Sequence, residues 1–291
     1  MLKEHNIKLG PVRTRYFEGG KADATPVVLI HEGGFGGDAL NSYGKLVAHL
    51  ADDYRLILPE MLGFGGTDKA VFFGENPYEP RLRHLAAFFD AIDLGKAHFV
   101  GNSFGGGMVL RLSLRSETAW RMLSATSISG TGGPFRTPEG IAGAFDYEPS
   151  IEAARQLDSW VLGTNFGDEA HARDRFDSSM RPGQWESMAA PQLRNPALTD
   201  KDKVAKWDLP DGLSLSQTRT LLIAGARDRM LEKGWEEKLA AHLKDGTTVR
   251  VDAAHSPNIT HPEATAQILR RFFENNLQPS AGVNSVFEGV N

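Results

Sequence analysis

A serine between glycines is the clearest sign of chemistry in this chain. Residues 101–105 read Gly-Asn-Ser-Phe-Gly, a G-x-S-x-G pattern that places a serine on a tight turn between a strand and a helix. The apolar residues 97–100 favour the strand, and the sequence from Gly106 onward favours the helix. Such a turn exposes the hydroxyl beside the positive amino end of the helix. We therefore predict that Ser103 is a nucleophile; an ordinary strand-to-helix turn is the alternative.

A serine hydroxyl needs a base to take its proton, and the base needs a third group to hold its tautomer. The acid candidate, Asp228, follows the apolar run 221–224, and the base candidate, His255, follows the predicted strand 247–251. The carboxyl ends of parallel strands are where open α/β sheets place their sites. The order Ser103, Asp228, His255 therefore predicts a catalytic triad.

Each member of this set has an alternative. Asp228 could be a turn residue, and Asp252 is a second acid that would have to fold back on His255 in its own loop. The loop 129–133 offers no acid. A structural or surface role is expected for the remaining histidines of interest, which are His84, His98, His171, His242 and His261.

A glycine-rich loop predicts the donors for a developing oxyanion. Residues 31–37 read His-Glu-Gly-Gly-Phe-Gly-Gly after the apolar strand 26–30, and such glycines let backbone amides approach a ligand. We expect an oxyanion hole from the amide of Phe104 and from Gly33 and Gly34 in this loop. No Gly-Lys-Ser/Thr follows, as a phosphate loop would require, and the second histidine of a zinc H-E-x-x-H motif is lacking, so no metal is expected.

Alternating strand and helix patterns predict the elements that position these residues. Buried strands are expected at 26–30, 54–58, 97–100, 122–128, 219–224 and 247–251, with helices between them. Few β-branched runs and several prolines mark residues 134–215 as a helical insertion. We predict an α/β fold with a mostly parallel, doubly wound sheet. Residues 1–133 and 216–291 would form the core domain and 134–215 a lid, with a loosely held tail from Leu277.

Composition narrows the classes of partner. The 291 residues carry a net charge of −5 and contain no cysteine, which argues against nucleic acid as a partner and against disulfides or thiolate metal sites. No signal peptide or membrane span is recognisable. We expect a cytoplasmic protein that acts on a small molecule without a membrane partner. The oligomeric state stays open, a homodimer or higher homo-oligomer included.

With these residues identified, the chain resembles the α/β-hydrolase superfamily over nearly its whole length. Within it, the chain is similar to the meta-cleavage product hydrolases, which cleave a carbon–carbon bond in ring-opened 2-hydroxy-6-oxo-dienoates from aromatic breakdown. The segments that carry this likeness are residues 101–106, 61–68 and, most specifically, the lid segment Arg-Phe-Asp-Ser-Ser at 175–179.

The resemblance implies roles for several residues and no cofactor. Arg175 would bind the carboxylate and 2-oxo group of the substrate, which suits a guanidinium fork; a solvated lid arginine is the alternative. Asn102 would contact the substrate beside the nucleophile, and Asn41 would match another family contact. His255 would also help to convert the dienol to its keto form before Ser103 or water attacks.

Two departures from the family pattern keep other functions open. Glu32 and Phe35 stand where family members commonly have glycine and proline, and Ser256 follows the predicted catalytic histidine in place of tryptophan. A carboxylesterase or lactonase with the same triad is therefore an alternative function. A ligand-binding module on a hydrolase scaffold and a cofactor-free dioxygenase of this fold are further hypotheses.

Overall fold

A mostly parallel β-sheet forms the core of the protein. The computed structural model describes residues 2–72, 76–145, 147–164, 166–190, 209–275, 277 and 286–287. The strands in these residues are β1 (Lys3–Leu9), β2 (Val12–Gly20), β3 (Pro26–Ile30), β4 (Arg55–Pro59), β5 (Ala97–Asn102), β6 (Met122–Ile128), β7 (Thr220–Gly225), β8 (Gly246–Val251) and β9 (Val286–Phe287). Their order in the sheet is β1-β2-β4-β3-β5-β6-β7-β8-β9.

The predicted sheet is confirmed, and it has an antiparallel edge. All pairs from β4 through β3 to β9 are parallel, whereas β1 pairs with β2 and β2 with β4 antiparallel. β1 has no apolar run that would predict a strand, because its residues Lys-Glu-His-Asn-Ile-Lys-Leu are mostly polar and lie at the edge, where one face is exposed.

Helices cover both faces of the sheet and fill the connections between strands. They are α1 (Ala39–Val47), α2 (Glu79–Ala91), α3 (Phe104–Leu112), α4 (Ser116–Ala119), α5 (Pro138–Phe145), α6 (Ile151–Val161), α7 (Glu169–Ser179), α8 (Gln184–Ala189), α9 (Trp235–Ala240), α10 (Pro257–Thr260) and α11 (Pro262–Phe273). No helix in the described ranges is long and apolar enough to cross a membrane.

Successive side chains of β3 pack into core clusters on opposite faces of the sheet. Val27 and Leu29 pack in one core cluster with α1 and α11, whereas Val28 and Ile30 pack in a second cluster with α2 and α3. Successive side chains of a strand point to opposite faces, so a continuous apolar run fills two cores at once.

Helices α5 to α8, which belong to the predicted lid, lie between β6 and β7 in the chain and pack on the loops at the carboxyl edge of the sheet. Tyr147, Leu157 and Val161 form a cluster with Phe35 of the glycine-rich loop and with Ile259 of α10. The Phe35 and Tyr147 rings stack with their centroids 4.6 Å apart. Residues 191–208 of the predicted lid and most of the tail after 277 lie outside the described residues, and the lid boundaries stay a prediction.

Hydrogen bonds tie the lid to the core. The amide of Ser256, next to His255, donates to the Val161 carbonyl at 3.0 Å, and Ser178 Oγ donates to Asp38 Oδ2 at 3.0 Å. Asp38 also accepts from the Asn41 amide at 2.9 Å, which caps the start of α1. The lid is thus anchored to the loops that hold the candidate site.

Candidate active site

Ser103 lies on a strained turn between β5 and α3. Its backbone has φ 54° and ψ −115°, a conformation that few residues other than glycine adopt. The turn is held because the Ser103 amide donates to the Ile128 carbonyl at 2.7 Å. Glycine is required at 105, since a Cβ there would collide with the Ile30 carbonyl on the neighbouring strand. Strain of this kind persists where the surroundings fix a side chain for function.

The structure brings the three predicted triad residues into one hydrogen-bonded chain. His255 Nε2 lies 2.9 Å from Ser103 Oγ, and His255 Nδ1 lies 2.7 Å from Asp228 Oδ2. The side chains of His255 and Asp228 are each 3% exposed, so bulk water has little access to the bond between them. This geometry lets the imidazole accept the hydroxyl proton while the carboxylate holds its tautomer.

Two loops at the ends of β7 and β8 hold the acid and the base. The amides of Ala226 and Arg227 donate to the carbonyls of Val251 and Ala253, at 2.8 and 2.9 Å, and join the loops. Asp228 Oδ1 accepts from the Met230 amide at 2.8 Å, which fixes the carboxylate plane.

Asp252, the alternative acid, is directed elsewhere. It pairs with Arg227 at 3.1 Å, and its side chain is 53% exposed. The partner of His255 in the structure is therefore Asp228 and not the acid of its own loop.

The predicted oxyanion loop is fixed by a neutral histidine. His31 is fully buried, and its Nε2 accepts from the Met61 amide at 3.0 Å. Nδ1 therefore carries the proton and donates to the Glu32 carbonyl at 2.6 Å. Burial lowers the pKa of His31, which keeps the ring uncharged.

Two of the three predicted oxyanion residues lie side by side, and the third is engaged elsewhere. A Cβ on Gly33 would lie 2.6 Å from the Cβ of Phe104, so the loop and the start of α3 are in contact. The Phe104 amide opens α3, where the first N–H groups have no intrahelical acceptor. The Gly34 amide donates to Glu32 Oε2 at 2.6 Å, and its role as an oxyanion donor stays a prediction.

The ring of Phe104 is packed so that its backbone stays in place. It stacks on Tyr78 with centroids 4.4 Å apart, and the Arg81 guanidinium lies 5.7 Å from its centre. Arg81 donates to the carbonyls of Leu62 and Pro77. Burial lowers the pKa of Arg81 to about 10, which leaves it charged near neutral pH. Neither Tyr78 nor Arg81 was anticipated, because helical spacing does not reveal which residue meets the nucleophile turn.

Arg175 lies in a buried ion cluster rather than on a solvated face of the lid. Its side chain has no exposed surface; Nε donates to Asp158 Oδ1 at 2.6 Å and Nη1 to Glu32 Oε1 at 2.8 Å. Nη1 also donates to the Phe35 carbonyl at 2.8 Å. The other oxygen of the Asp158 carboxylate, Oδ2, lies 2.8 Å from His171 Nδ1.

We call Glu32, Asp158, His171 and Arg175 the arginine cluster. Its members include His171, for which a structural or surface role was expected, and Glu32 and Asp158, whose partners were not foreseen. Gly36 permits the approach of loop and lid: its φ is 70°, and a Cβ there would collide with the Arg175 carbonyl. One atom stays unsatisfied, since Arg175 Nη2 is buried with no hydrogen-bond partner among the described residues.

Opposing effects set the charges of the arginine cluster. Burial alone would raise the pKa of Glu32, but the Arg175 charge and the hydrogen bonds from Gly34 and Arg175 outweigh burial and lower it. Burial alone would also raise the pKa of Asp158, but the Arg175 charge and the hydrogen bonds from His171 and Arg175 lower it. Burial alone would lower the pKa of Arg175, but the two carboxylates raise it. All three groups are therefore charged at neutral pH.

The two asparagines of the predicted substrate site are held by the protein itself. Asn102 is buried beside Ser103; its Nδ2 donates to the Ile128 carbonyl and its Oδ1 accepts from Ser256 Oγ, both at 3.2 Å. Asn41 Nδ2 donates to the Gly36 carbonyl at 2.9 Å.

Asn41 also lines a groove of about 230 Å³ between α1 and α7, which Lys45 and Asp168 border as well. A substrate contact of either asparagine stays a prediction.

Comparison with known proteins places this site in a family. Residues 27–268 match the family model described as the alpha/beta hydrolase family. The chain is 30% identical over 233 residues to the 2-hydroxy-6-oxo-2,4-heptadienoate hydrolase of Pseudomonas putida, covering 77% of this chain and 79% of that protein. It is 33% identical over 180 residues to the 2-hydroxymuconate semialdehyde hydrolase of Pseudomonas sp. (strain CF600), a match that spans 62% of each chain, less than two thirds of that relative.

A solved structure agrees with the sequence comparison. The meta-cleavage product hydrolase from Pseudomonas fluorescens IP01 is 26% identical and superposes with a TM-score of 0.77, covering 93% of this chain and 97% of that one. Residues 27–268, which the family model matches, include all but the first residue of β3, the whole of β4 to β8, and Ser103, Asp228 and His255. From its sequence and its fold alike, the chain belongs to the alpha/beta hydrolase family.

Proposed function

We propose that this protein is a cofactor-free serine-triad hydrolase that cleaves a carbon–carbon bond in substrates of the 2-hydroxy-6-oxo-hexa-2,4-dienoate type. The observation that carries the proposal is the pair of hydrogen bonds that links the three side chains: Asp228 Oδ2 lies 2.7 Å from His255 Nδ1, and His255 Nε2 lies 2.9 Å from Ser103 Oγ. Ser103 itself lies on a strained turn. Further support comes from relatives named for dienoate and semialdehyde substrates. A carbon–carbon bond next to a ketone can be hydrolysed once the departing carbon can hold its electrons.

The proposed reaction begins with a proton transfer. His255 helps to move the enol proton of the substrate to the carbon chain, which gives a keto form. The hydroxyl of Ser103, or a water molecule, then attacks the remote ketone while His255 takes the proton. The amides of Gly33 and Phe104 face the developing oxyanion, and loss of one such donor typically costs about 3 to 4 kcal/mol of transition-state stabilisation.

Bond cleavage completes the cycle. The carbon–carbon bond beside the tetrahedral carbon breaks, and its electron pair moves into the conjugated 2-oxo group of the leaving fragment, which takes up a proton and becomes the dienol. If Ser103 was the nucleophile, water then hydrolyses the acyl-serine. With one water consumed in total, the products are a carboxylic acid and 2-hydroxypenta-2,4-dienoate. Arg175 is the proposed contact for the oxygen-bearing head of the substrate, through the Nη2 group that has no partner among the described residues.

The experiment follows the colour of a yellow ring-fission dienolate mixed with the protein. We expect the colour to fade with the wild-type protein, and Ser103→Ala to lower the turnover rate by about 10⁴-fold or more. Asp252→Asn, an exposed acid outside the chain of hydrogen bonds, serves as the control. Colour that persists with the wild type across dienolates with alkyl and aryl side chains would refute the proposal.

A second candidate function is hydrolysis of esters or lactones by the same triad. The observation that favours it is Glu32, whose carboxylate already occupies Arg175 and the Gly34 amide. Strong turnover of nitrophenyl esters, lost in Ser103→Ala and without any turnover of dienolates, would support this candidate over the first.

A further inference from the structure

The Glu32 carboxylate fills two donors that an anionic substrate would use. Oε1 accepts from Arg175 Nη1 at 2.8 Å, and Oε2 accepts from the Gly34 amide at 2.6 Å. The glutamate is 5% exposed and the arginine fully buried, so neither contact is a mobile surface pair. The protein therefore holds a carboxylate of its own beside the guanidinium.

Charge counting shows what this carboxylate does to the site. Asp158 Oδ1 binds the opposite edge of the same guanidinium at 2.6 Å, so two buried carboxylates face one buried cation. The two acids therefore outnumber the one guanidinium that lies between them before any ligand arrives. A third carboxylate at Nη2 of Arg175 would be repelled by both acids in a buried environment, where such repulsion is poorly screened.

We propose that Glu32 is a specificity-determining residue that selects substrates whose group facing Arg175 is uncharged, such as an ester, lactone or ketone carbonyl, over free carboxylates. Nη2 carries N–H groups that can donate to a neutral carbonyl oxygen, which brings no further negative charge into the cluster. This inference rests on the proposed role of Ser103 as the nucleophile. It requires that a dienoate present its 2-oxo group, and not its carboxylate, to Arg175, and it favours the ester and lactone candidate.

A matched pair of esters tests the preference. The probes are the nitrophenyl ester of glutaric acid, which carries a free carboxylate, and the nitrophenyl ester of monomethyl glutarate, which is neutral. We expect wild-type kcat/KM to favour the neutral ester by about tenfold or more, and Glu32→Gln to lower this ratio by about tenfold, mainly through a smaller KM for the acid. Glu32→Asp keeps the charge and is expected to keep the preference.

The control variant is Glu169→Gln, which removes one negative charge from an exposed lid residue paired with Arg155 and is expected to leave the ratio unchanged. Equal effects of Glu32→Gln on both esters, or a wild-type preference for the acid, would overturn the inference. A merely structural role for Glu32 predicts such equal effects, with a change in kcat and thermal stability alone.

A second measurement separates this inference from the proposed function. Binding of 5-oxohexanoate and of its methyl ester to the Ser103→Ala protein and to its Glu32→Gln double variant is measured by calorimetry, which needs no turnover. If Ser103→Ala binds the methyl ester more tightly than the acid, and the double variant shows the opposite preference, the role of Glu32 is supported even if dienolates are not cleaved. If both proteins bind the acid more tightly than the methyl ester, the role of Glu32 is contradicted even if dienolates are cleaved.

Discussion

The triad and the arginine cluster differ in how they are built. Ser103, Asp228 and His255 all follow strands of the central sheet, so the backbone ladder sets their separation. The arginine cluster joins Glu32 of a core loop to Arg175 and Asp158 of lid helices, 143 and 126 residues further along the chain. The first region depends on the sheet, whereas the second exists only when the lid is seated on the core.

This difference assigns different tasks to the two regions. The triad links one acid, one base and one hydroxyl in a single line, which suits proton transfer. The cluster surrounds one cation with two acids, which suits recognition of a ligand and attachment of the lid. Mutations in the triad should therefore affect kcat with little effect on stability, and mutations in the cluster should affect stability and KM.

The largest expected effect is on catalysis. Asp228→Asn removes the carboxylate that fixes the His255 tautomer, and the comparable change in a serine protease lowers kcat by about 10⁴-fold. We expect a loss of this order with nitrophenyl esters or dienolates, and an unfolding midpoint close to that of the wild type. Asp252→Asn is the control and should keep its activity. If Asp252→Asn loses activity and Asp228→Asn retains it, Asp228 is not the acid that supports His255 in catalysis.

The next effect is on folding. Arg175→Ala leaves the Glu32 and Asp158 carboxylates buried without a counter-charge, which typically costs about 3 to 5 kcal/mol. Urea unfolding should therefore show a large fall in the midpoint. The matched control is Arg155→Ala, which removes an exposed lid arginine and should leave the midpoint unchanged. Equal stability of the two variants would mean that the cluster does not hold the lid.

Acid should weaken the arginine cluster. The folded-state pKa values of Glu32 and Asp158 lie below their ordinary values of 4.5 and 3.8. The unfolded chain therefore takes up protons first as pH falls, and the stabilisation present above this range is lost as pH drops from about 4.5 through the folded pKa values. Chemical unfolding as a function of pH should show this loss, and Asp158→Asn should make the slope smaller. A slope unchanged in that variant contradicts the assignment.

The same difference explains what the sequence could predict. Ser103, Asp228 and His255 could be predicted because each has a local sequence signal, which is either a glycine-flanked turn or the end of an apolar strand. Parallel strands bring such ends together at one edge of the sheet. Glu32 was visible only as a departure from the family pattern. Its partner lies on a helix whose position over the loop depends on packing of Phe35, Tyr147 and the other lid contacts, which no local pattern encodes.

The hydrogen bond that occupies the Gly34 amide was not foreseen for a related reason. A glycine-rich loop indicates that amides can approach a ligand, but it does not show which amide a neighbouring side chain will occupy. The Glu32 carboxylate folds back on the Gly34 amide two residues later, and this leaves Gly33 beside Phe104.

The smallest effect lies where the two regions meet. Ser256 Oγ donates to Asn102 Oδ1 at 3.2 Å, while its amide donates to the Val161 carbonyl of the lid. Ser256→Ala should cost about 1 kcal/mol of unfolding free energy, the usual contribution of one such hydrogen bond. Because Asn102 immediately precedes Ser103, we also expect a few-fold change in kcat.

Ser216→Ala separates these two effects. It removes a buried hydroxyl that donates to Ser113 Oγ at 3.1 Å and accepts from the Thr218 amide at 3.2 Å, away from the candidate site. It should cost at least as much unfolding free energy as Ser256→Ala. Its kcat should equal that of the wild type. A kcat unchanged in both variants would mean that the bond from the Ser256 hydroxyl to Asn102 supports only the fold.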